Sequence, residues 1–305
     1  VIELDDVDAI NERLSRPPYS VAVFCSGCNL AVCAFLDLGY TIQRWLSVES
    51  SQMCRDVSSR ILPSIEHYPS HDVLEVGADV LTSRFDLSIN SPPCQPFSGC
   101  NPSAKGWDDP RSKPMQQGAV INDELRLANP FIQTFEEQVR PAQHLTKPPH
   151  DVLADWNRMF HGQFQLCHAD QWGAPCTRPR MLKLSKGDNP VDLSAIKHRP
   201  SIDINTLLEP GWRSPAPLAK CVVSSERTHN PPVVCDPDGL VRQLYEGEAD
   251  RIMGYPDGVS YPGYAITPQQ RREMIGGGFH YIQIYCVLRQ LDPPAPQIPH
   301  PVVTA

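Results

Sequence analysis

The chain has 305 residues, 41% of them apolar and 20% charged, and carries a formal net charge of −8. That length supports one large or two small domains around a substantial core, and no apolar run approaches the roughly 18 residues of a membrane span. Eleven cysteines, odd in number and irregular in spacing, point to a reducing compartment and against a disulfide framework.

Residues 5 to 14 have weak helical spacing with acids at the start, and are expected to form a packing arm. Tyr19 to Cys25 is short, apolar and β-branched, which predicts a buried strand. A turn at Ser26–Asn29 leads into a predicted helix, Leu30 to Leu38, ended by Gly39. Ile42 to Val48 reads as a second strand with Glu49 at its end. Ser50 or Ser51 then caps a helix to Ile61. This βαβα order opens a parallel sheet. The first strand, its turn and the following helix N-terminus make either a cradle for a nucleoside cofactor, with Gly27 permitting close approach, or simply a tight βα turn. Glu49 is placed to accept from both ribose hydroxyls. A GxGxxG run is absent, which counts against a dinucleotide.

His71-Asp72-Val73 falls where a third strand should end, so that Asp72 can accept from an adenine amino group. Phe85 to Asn90 is the fourth strand, and it delivers Ser91-Pro92-Pro93-Cys94-Gln95-Pro96-Phe97-Ser98. Pro93 and Pro96 hold the turn, and a thiol just past the end of a parallel strand is a candidate nucleophile. A polar loop follows from Gly99 to about Val120. Leu125, Leu127, Phe131, Phe135 and Val139 have helical spacing, which predicts one helix over 122–139 with Glu136 and Glu137 facing solvent. Pro148-Pro149 precede another helix, Val152 to Phe160. Cys25-x-x-Cys28 with Cys33 lacks the second ligand pair of a zinc site, so no metal is expected. Residues 1–75 hold eleven acids and five bases, whereas residues 178–229 hold nine bases and five acids. That asymmetry is compatible with a basic half facing nucleic acid or with an ordinary solvated surface.

The octapeptide Ser91–Ser98 resembles the Pro-Cys-Gln-x-x-Ser motif of the DNA cytosine-C5 methyltransferases. Phe24 with Gly27, Glu49, Asp72 and Pro93-Cys94 follow the family's motif order. Gly173-Ala174-Pro175-Cys176-Thr177-Arg178-Pro179-Arg180 is similar to its Gly-x-Pro-Gln-x-Arg-x-Arg motif, with Cys176 in place of Gln. Asp238-Gly239, Arg242, Glu248 and Gly254-Tyr255-Pro256-Asp257 resemble the segment closing the recognition region. Ile275-Gly276-Gly277-Gly278 resembles the last motif, with Gly277 in place of Asn, and is expected to open a helix to about Leu291.

The resemblance implies an α/β, Rossmann-like S-adenosylmethionine-dependent methyltransferase fold with a small target-recognition region. The expected organisation is an N-terminal arm (1–18), a catalytic and cofactor-binding domain (19–185), a short recognition region (186–245), a C-terminal return (246–291) and a Pro-rich tail (292–305). It implies S-adenosylmethionine bound by Phe24, Gly27, Glu49, Ser50, Asp72, Val73, Pro93, Gly277 and Gly278. It implies catalysis by Cys94, Arg178 and Arg180, with Cys94 attacking C6 of cytosine so that C5 can take the methyl group. The expected partner is double-stranded DNA, with protein partners or accessory domains outside this chain and no membrane. The implied location is the nucleus in a eukaryote or the cytoplasm in a bacterium.

The family's Glu-Asn-Val motif, whose Glu acts on N3 of cytosine, is expected just after the helix that ends near Val139. Val139-Arg140-Pro141-Ala142-Gln143-His144 offers no such motif and no strand to carry it. An inactive adaptor with the same fold is therefore an alternative reading. A cytosine-C5 methyltransferase acting on RNA is a more remote one. A NAD-dependent enzyme is disfavoured by the missing GxGxxG.

Overall fold

The computed structural model describes residues 12–219, 233–256, 258, 260 and 263–294. Most of the expected N-terminal arm, the Pro-rich tail beyond Pro294, residues 220–232 and Asp257 lie outside the described residues. The chain opens with β1 (Tyr19–Phe24), α1 (Leu30–Asp37), β2 (Ile42–Val48), α2 (Gln52–Ile61), the two-residue β3 (Glu66–His67), a short α3 (Ala78–Leu81) and β4 (Leu87–Asn90). The predicted βαβα start is present. Gly39 follows α1 with φ +80°, the left-handed conformation expected after a helix. Ser51 caps α2 by accepting from Cys54 N. The third strand ends at His67, earlier than expected, and Asp72 instead caps a 3-10 turn over Val73–Glu75 by accepting from Leu74 N.

The largest departure lies between residues 113 and 138. The predicted single helix is two elements, α4 (Lys113–Ala128) and β5 (Gln133–Gln138). The break is Asn129-Pro130. Proline disfavours the α conformation at the residue before it, and Asn129 is extended (φ −143°, ψ 97°). Its side chain donates to Phe85 O and accepts from Phe131 N. The apparent apolar stripe is thereby split: Leu125 and Phe135 are buried, whereas Leu127 is 79% and Phe131 64% exposed. The polar loop before α4 is also shorter than expected, because α4 begins at Lys113.

The chain continues through α5 (Pro149–Met159), β6 (Gln165–His168), β7 (Pro179–Lys186), β8 (Asn189–Pro190), β9 (Val233–Cys235) and β10 (Val241–Gln243). It closes with α6 (Glu246–Met253), α7 (Pro268–Gly277) and α8 (Tyr281–Leu288). The helix expected to open at Ile275–Gly278 and run to about Leu291 is present but starts later, at Tyr281. Ile275, Gly276 and Gly277 end α7, Gly278 caps it, and His280 caps the new helix α8 by accepting from Ile282 N.

The main sheet has the order β3-β2-β1-β4-β5-β7-β6, with β8 beside β7. β1, β2, β3, β4 and β5 pair in parallel, and β7 runs antiparallel to β5 and β6. Successive side chains of β1 alternate between two cores. Val21 and Val23 pack in a cluster with Phe35 of α1 and Ile284 of α8. Ala22 and Phe24 pack with Ile121 and Leu125 of α4. The chain runs outward from β1 to β3 and then returns to β4 on the other side of β1. The crevice at the carboxyl ends of β1 and β4 is therefore the switch point where open α/β sheets hold ligands.

Candidate functional site

A cavity of about 340 Å³ opens at that switch point. Of the residues expected at a cofactor, Gly27, Glu49, Ser50, Asp72, Val73, Pro93 and Gly277 line it. Gly27 has φ +53°, and its N–H donates to Glu49 Oε2 at 2.7 Å. Ser51 N–H donates to Glu49 Oε1 at 2.8 Å. These two bonds fix the carboxylate at the end of β2, and each oxygen keeps a further lone pair for a hydroxyl. Burial pushes the Glu49 carboxyl above its ordinary range against those bonds.

Sequence reasoning passed over His71, Met53 and Glu273, which also line the cavity. His71 has φ +61°, and its Nδ1 is buried with no partner among the described residues. The lining holds three carboxylates, Glu49, Asp72 and Glu273, and no lysine or arginine. Such a wall repels a diphosphate and suits a cationic ligand with ribose hydroxyls. The donor set therefore fits a sulfonium nucleoside better than a dinucleotide.

Two expected cofactor residues stand elsewhere. Phe24 is fully buried and packs into the core on the α4 face, outside the cavity lining. Gly278 lies behind the cradle: a Cβ on Gly27 would stand 3.8 Å from Gly278 Cα, and one on Gly278 would collide with the Tyr255 hydroxyl. Its carbonyl is occupied by Arg178.

The second half of the site lies where β4, β5 and β7 meet. Register sets Asn90 of β4 opposite Glu136 of β5, so the Pro92-Pro93-Cys94 loop passes beside the end of β5. Gln138 Nε2 donates to Pro92 O at 2.9 Å and ties that loop to the strand. Glu137 is buried, and its Oε1 accepts from Arg180 Nε at 2.9 Å. Arg180 Nη1 also donates to Pro179 O. The glutamates expected to face solvent from a helix are thus buried strand residues, Glu136 at 1% and Glu137 at 7% exposure.

The segment Glu137-Gln138-Val139 at the end of β5 differs by one residue from Glu-Asn-Val, which corrects the expectation that the motif and its strand are missing. The signal was in the sequence: Pro130 bars a helix from running on to Val139, and Arg140-Pro141 follow the motif directly.

Cys94 is half-buried, not exposed. Burial pushes its thiol up, Arg180 and Arg178 pull it down, Glu137 opposes them, and the net direction is up. The resting thiol is therefore protonated at neutral pH. Burial likewise raises the Glu137 carboxyl, against the pull of Arg180 and Arg178.

Arg178 and Arg180 divide their work. Arg180 sits with Glu137 at the Cys94 loop. Arg178 is 1% exposed, and its Nη2 donates to Gly276 O at 3.3 Å and Gly278 O at 2.5 Å. It holds the glycine segment that backs the cofactor cradle, so direct contact with a base is not what its geometry provides. His280 packs in the same region, with Nε2 donating to Ile252 O. Burial and Arg178 keep its ring neutral, with the pKa pushed down to about 3. Among the described residues no group of three or more His, Cys, Asp or Glu is placed to hold a metal ion.

No protein-family model matches the chain, and no curated protein matches it by sequence. Solved structures match over nearly their whole length. The S. pombe Dnmt2 methyltransferase superposes with a TM-score of 0.68 at 13% identity, covering 89% of this chain and 97% of that one. The Entamoeba histolytica methyltransferase EhMeth gives 0.63 at 15% identity, covering 90% and 97%. A mutant of Spodoptera frugiperda DNMT2 gives 0.62 at 16% identity, covering 89% and 98%. At these identities the likeness shows the fold: an α/β, Rossmann-like methyltransferase fold shared with Dnmt2-type proteins.

Proposed function

We propose that the chain transfers a methyl group from S-adenosylmethionine to C5 of cytosine in double-stranded DNA, through a covalent bond between Cys94 and C6. The observation that carries this reading is the convergence of Cys94, Glu137 and Arg180 beside a carboxylate-lined cavity of nucleoside size. C5 of cytosine is a poor nucleophile. Attack of the Cys94 thiolate at C6, with Glu137 giving a proton or hydrogen bond to N3, makes C5 enamine-like and able to take a methyl group; loss of the C5 proton to solvent with elimination of the thiolate then breaks the Cys94–C6 bond and frees the methylated base. Burial keeps the Glu137 carboxyl up, which favours the protonated form that can donate. Arg180 fixes that carboxyl and offers the thiolate a positive neighbour. S-adenosylmethionine, when bound, supplies the electrophilic methyl group. Gly27, Glu49, Asp72 and Pro93 would hold it, and Arg178 would act at one remove by fixing Gly276 and Gly278. The target base must leave the duplex stack, which costs a few kcal/mol.

The inactive-adaptor reading rested on a missing glutamate, and Glu137 removes that ground. RNA as the substrate is the second reading, favoured by the slight β9–β10 hairpin. Its strands have three residues each, and Asp236 and Asp238 lie at its turn, which suits no insertion into a polyanionic groove.

The test is trapping with S-adenosylmethionine on duplex DNA and on an RNA hairpin, each containing 5-fluorocytosine, beside the Cys94→Ser variant. Fluorine at C5 blocks the final elimination, so a working enzyme stays attached. A cofactor-dependent adduct on DNA that is lost in Cys94→Ser is expected. An adduct on RNA alone would replace the substrate. No adduct on either, from folded protein that binds S-adenosylmethionine, would return the adaptor reading.

A further inference from the structure

A second and larger cavity, about 460 Å³, lies away from the cofactor crevice. Its floor is buried and mostly apolar: Trp172 from the β6–β7 connection, with Ile282, Tyr285 and Cys286 from α8. Its rim is the run Lys197-His198-Arg199. No carboxylate lines it.

The rim is held in place by backbone bonds. Arg199 N donates to Gln171 O at 2.9 Å and Ile202 N to Gly173 O at 3.0 Å. Gly173 has φ +100°, and a Cβ there would stand 3.3 Å from Pro200 O, so only glycine admits the strap this close without strain. The cavity is thus built into the fold, not left by a loose loop.

The charges on the rim set it apart from the rest of the molecule. Elsewhere basic side chains commonly meet acids, as in Arg44–Glu66, Arg126–Asp188, Lys186–Asp292 and Arg251–Glu209. Lys197, His198 and Arg199 make no side-chain hydrogen bond or ion pair among the described residues. Two cations flanking His198, with no acid in the lining, in a chain of net charge −8 leave a local positive field over an apolar floor. That combination selects an anion joined to a flat or apolar body. The cavity also stands at the end of the sheet that bears Cys94, because β6 and β7 are antiparallel and the connection between them carries both Trp172 and Arg178.

We propose that this cavity is a second ligand site, which takes a nucleotide unit with its phosphate on Lys197 and Arg199 and its base or sugar against the apolar floor. The unit is either a free mononucleotide or one nucleotide of a polynucleotide bound across the same end of the sheet. The second source rests on the proposed function, and the first does not.

The experiment compares the wild-type chain with the double variant Lys197→Ala/Arg199→Ala, whose side chains lie on the surface and outside the methyl-transfer site. Both proteins are checked for equal thermal midpoints and equal S-adenosylmethionine binding. The probes are AMP, a fluorescein-labelled short oligonucleotide without cytosine, inorganic phosphate, and polyglutamate. AMP bound by the wild type and weakened at least about tenfold in the variant supports the site with a free-nucleotide source. Oligonucleotide binding weakened about tenfold, with its salt slope reduced by about 2 and AMP silent, supports the polynucleotide source. Nucleotide probes unaffected by the double substitution, or polyglutamate and phosphate competing as well as AMP or the oligonucleotide, overturn it. The 5-fluorocytosine adduct is scored on the same wild-type protein. AMP binding that depends on Lys197 and Arg199 in a chain forming no adduct would keep this site while the methyl-transfer reading fails.

Discussion

Glu136 and Glu137 are neighbours on β5, yet strand geometry sends them to opposite faces of the sheet and to different work. Glu136 points to the α4 face. There it accepts from Lys183 Nζ at 2.9 Å and from Asn122 Nδ2 at 2.5 Å, and Lys183 also donates to Thr134 Oγ1. Both charged partners are buried in full, with side-chain exposures of 2% and 0%. Burial pushes the Glu136 carboxyl up and the Lys183 ammonium down, each toward its neutral form. Glu137 meets Arg180, a half-buried cation, at the carboxyl end of β5 beside Cys94 and its loop. The first pair is closed on itself by hydrogen bonds inside the protein. The second leaves one carboxylate oxygen uncommitted beside a thiol. Two ion pairs on the same two strands, one fully buried and one half-open, thus differ in whether the outer lone pairs are spent.

The comparison makes crossed predictions. Glu137→Gln should lower the methyl-transfer rate by about 10²- to 10⁴-fold, the usual weight of a positioned acid, while the thermal midpoint barely moves. Single-turnover kinetics beside a melting curve check both halves. Lys183→Met should do the opposite. It strands a carboxylate in the core, costing about 3–5 kcal/mol of stability in urea unfolding, and the folded fraction should keep its rate. Adding Glu136→Gln to Lys183→Met should recover most of that loss, because no unpaired charge then remains. Recovery that fails would show the pair is needed for more than mutual neutralisation.

The pH profile sharpens the catalytic half. With Glu137 and Cys94 both raised, the working form needs the acid protonated and the thiol ionised. Thiolate grows as pH rises, and protonated Glu137 declines once pH passes its own value. Between the two titrations these trends cancel, so kcat/KM of the wild type should be nearly flat. In Glu137→Gln the cancelling term is gone. Its kcat/KM should climb about tenfold per pH unit until the thiol has ionised. A flat profile in the variant would remove Glu137 from the proton inventory.

Smaller effects are expected around the pair. Arg180→Lys keeps the charge but loses the planar guanidinium that reaches Glu137 and Pro179 O together. It should cost about tenfold in rate, with cofactor affinity unchanged by calorimetry. Gln138→Ala removes the bond to Pro92 O and leaves a buried carbonyl unmet, a loss of about 1–3 kcal/mol of stability. That should be read as a lower unfolding midpoint and faster alkylation of Cys94.

The cavity at the switch point was legible because most of the residues expected to line it sit just past strand ends. Strand, turn and helix put Gly27, Glu49 and the Cys94 loop at the carboxyl edge of a parallel sheet with little help from the rest of the chain. Phe24 is absent from the cavity lining because both faces of β1 are covered and its side chain packs into the α4 core.

Glu137, the proposed partner of Cys94, was not legible in that way. Spacing at 127, 131, 135 and 139 fits a helix, and only Pro130 argues locally for a break. What makes β5 a strand is its pairing with β4 on one side and β7 on the other, distant segments whose open hydrogen bonds it satisfies. That pairing also decides which glutamate faces Lys183 and which faces Arg180. The division between Arg178 and Arg180 has the same origin, because the carbonyls of Gly276 and Gly278 arrive from about a hundred residues away in the chain. Sequence determined the motifs whose chemistry is local. Tertiary structure decided which charges meet, because a buried charge takes its partner from whatever strand or loop the fold brings beside it.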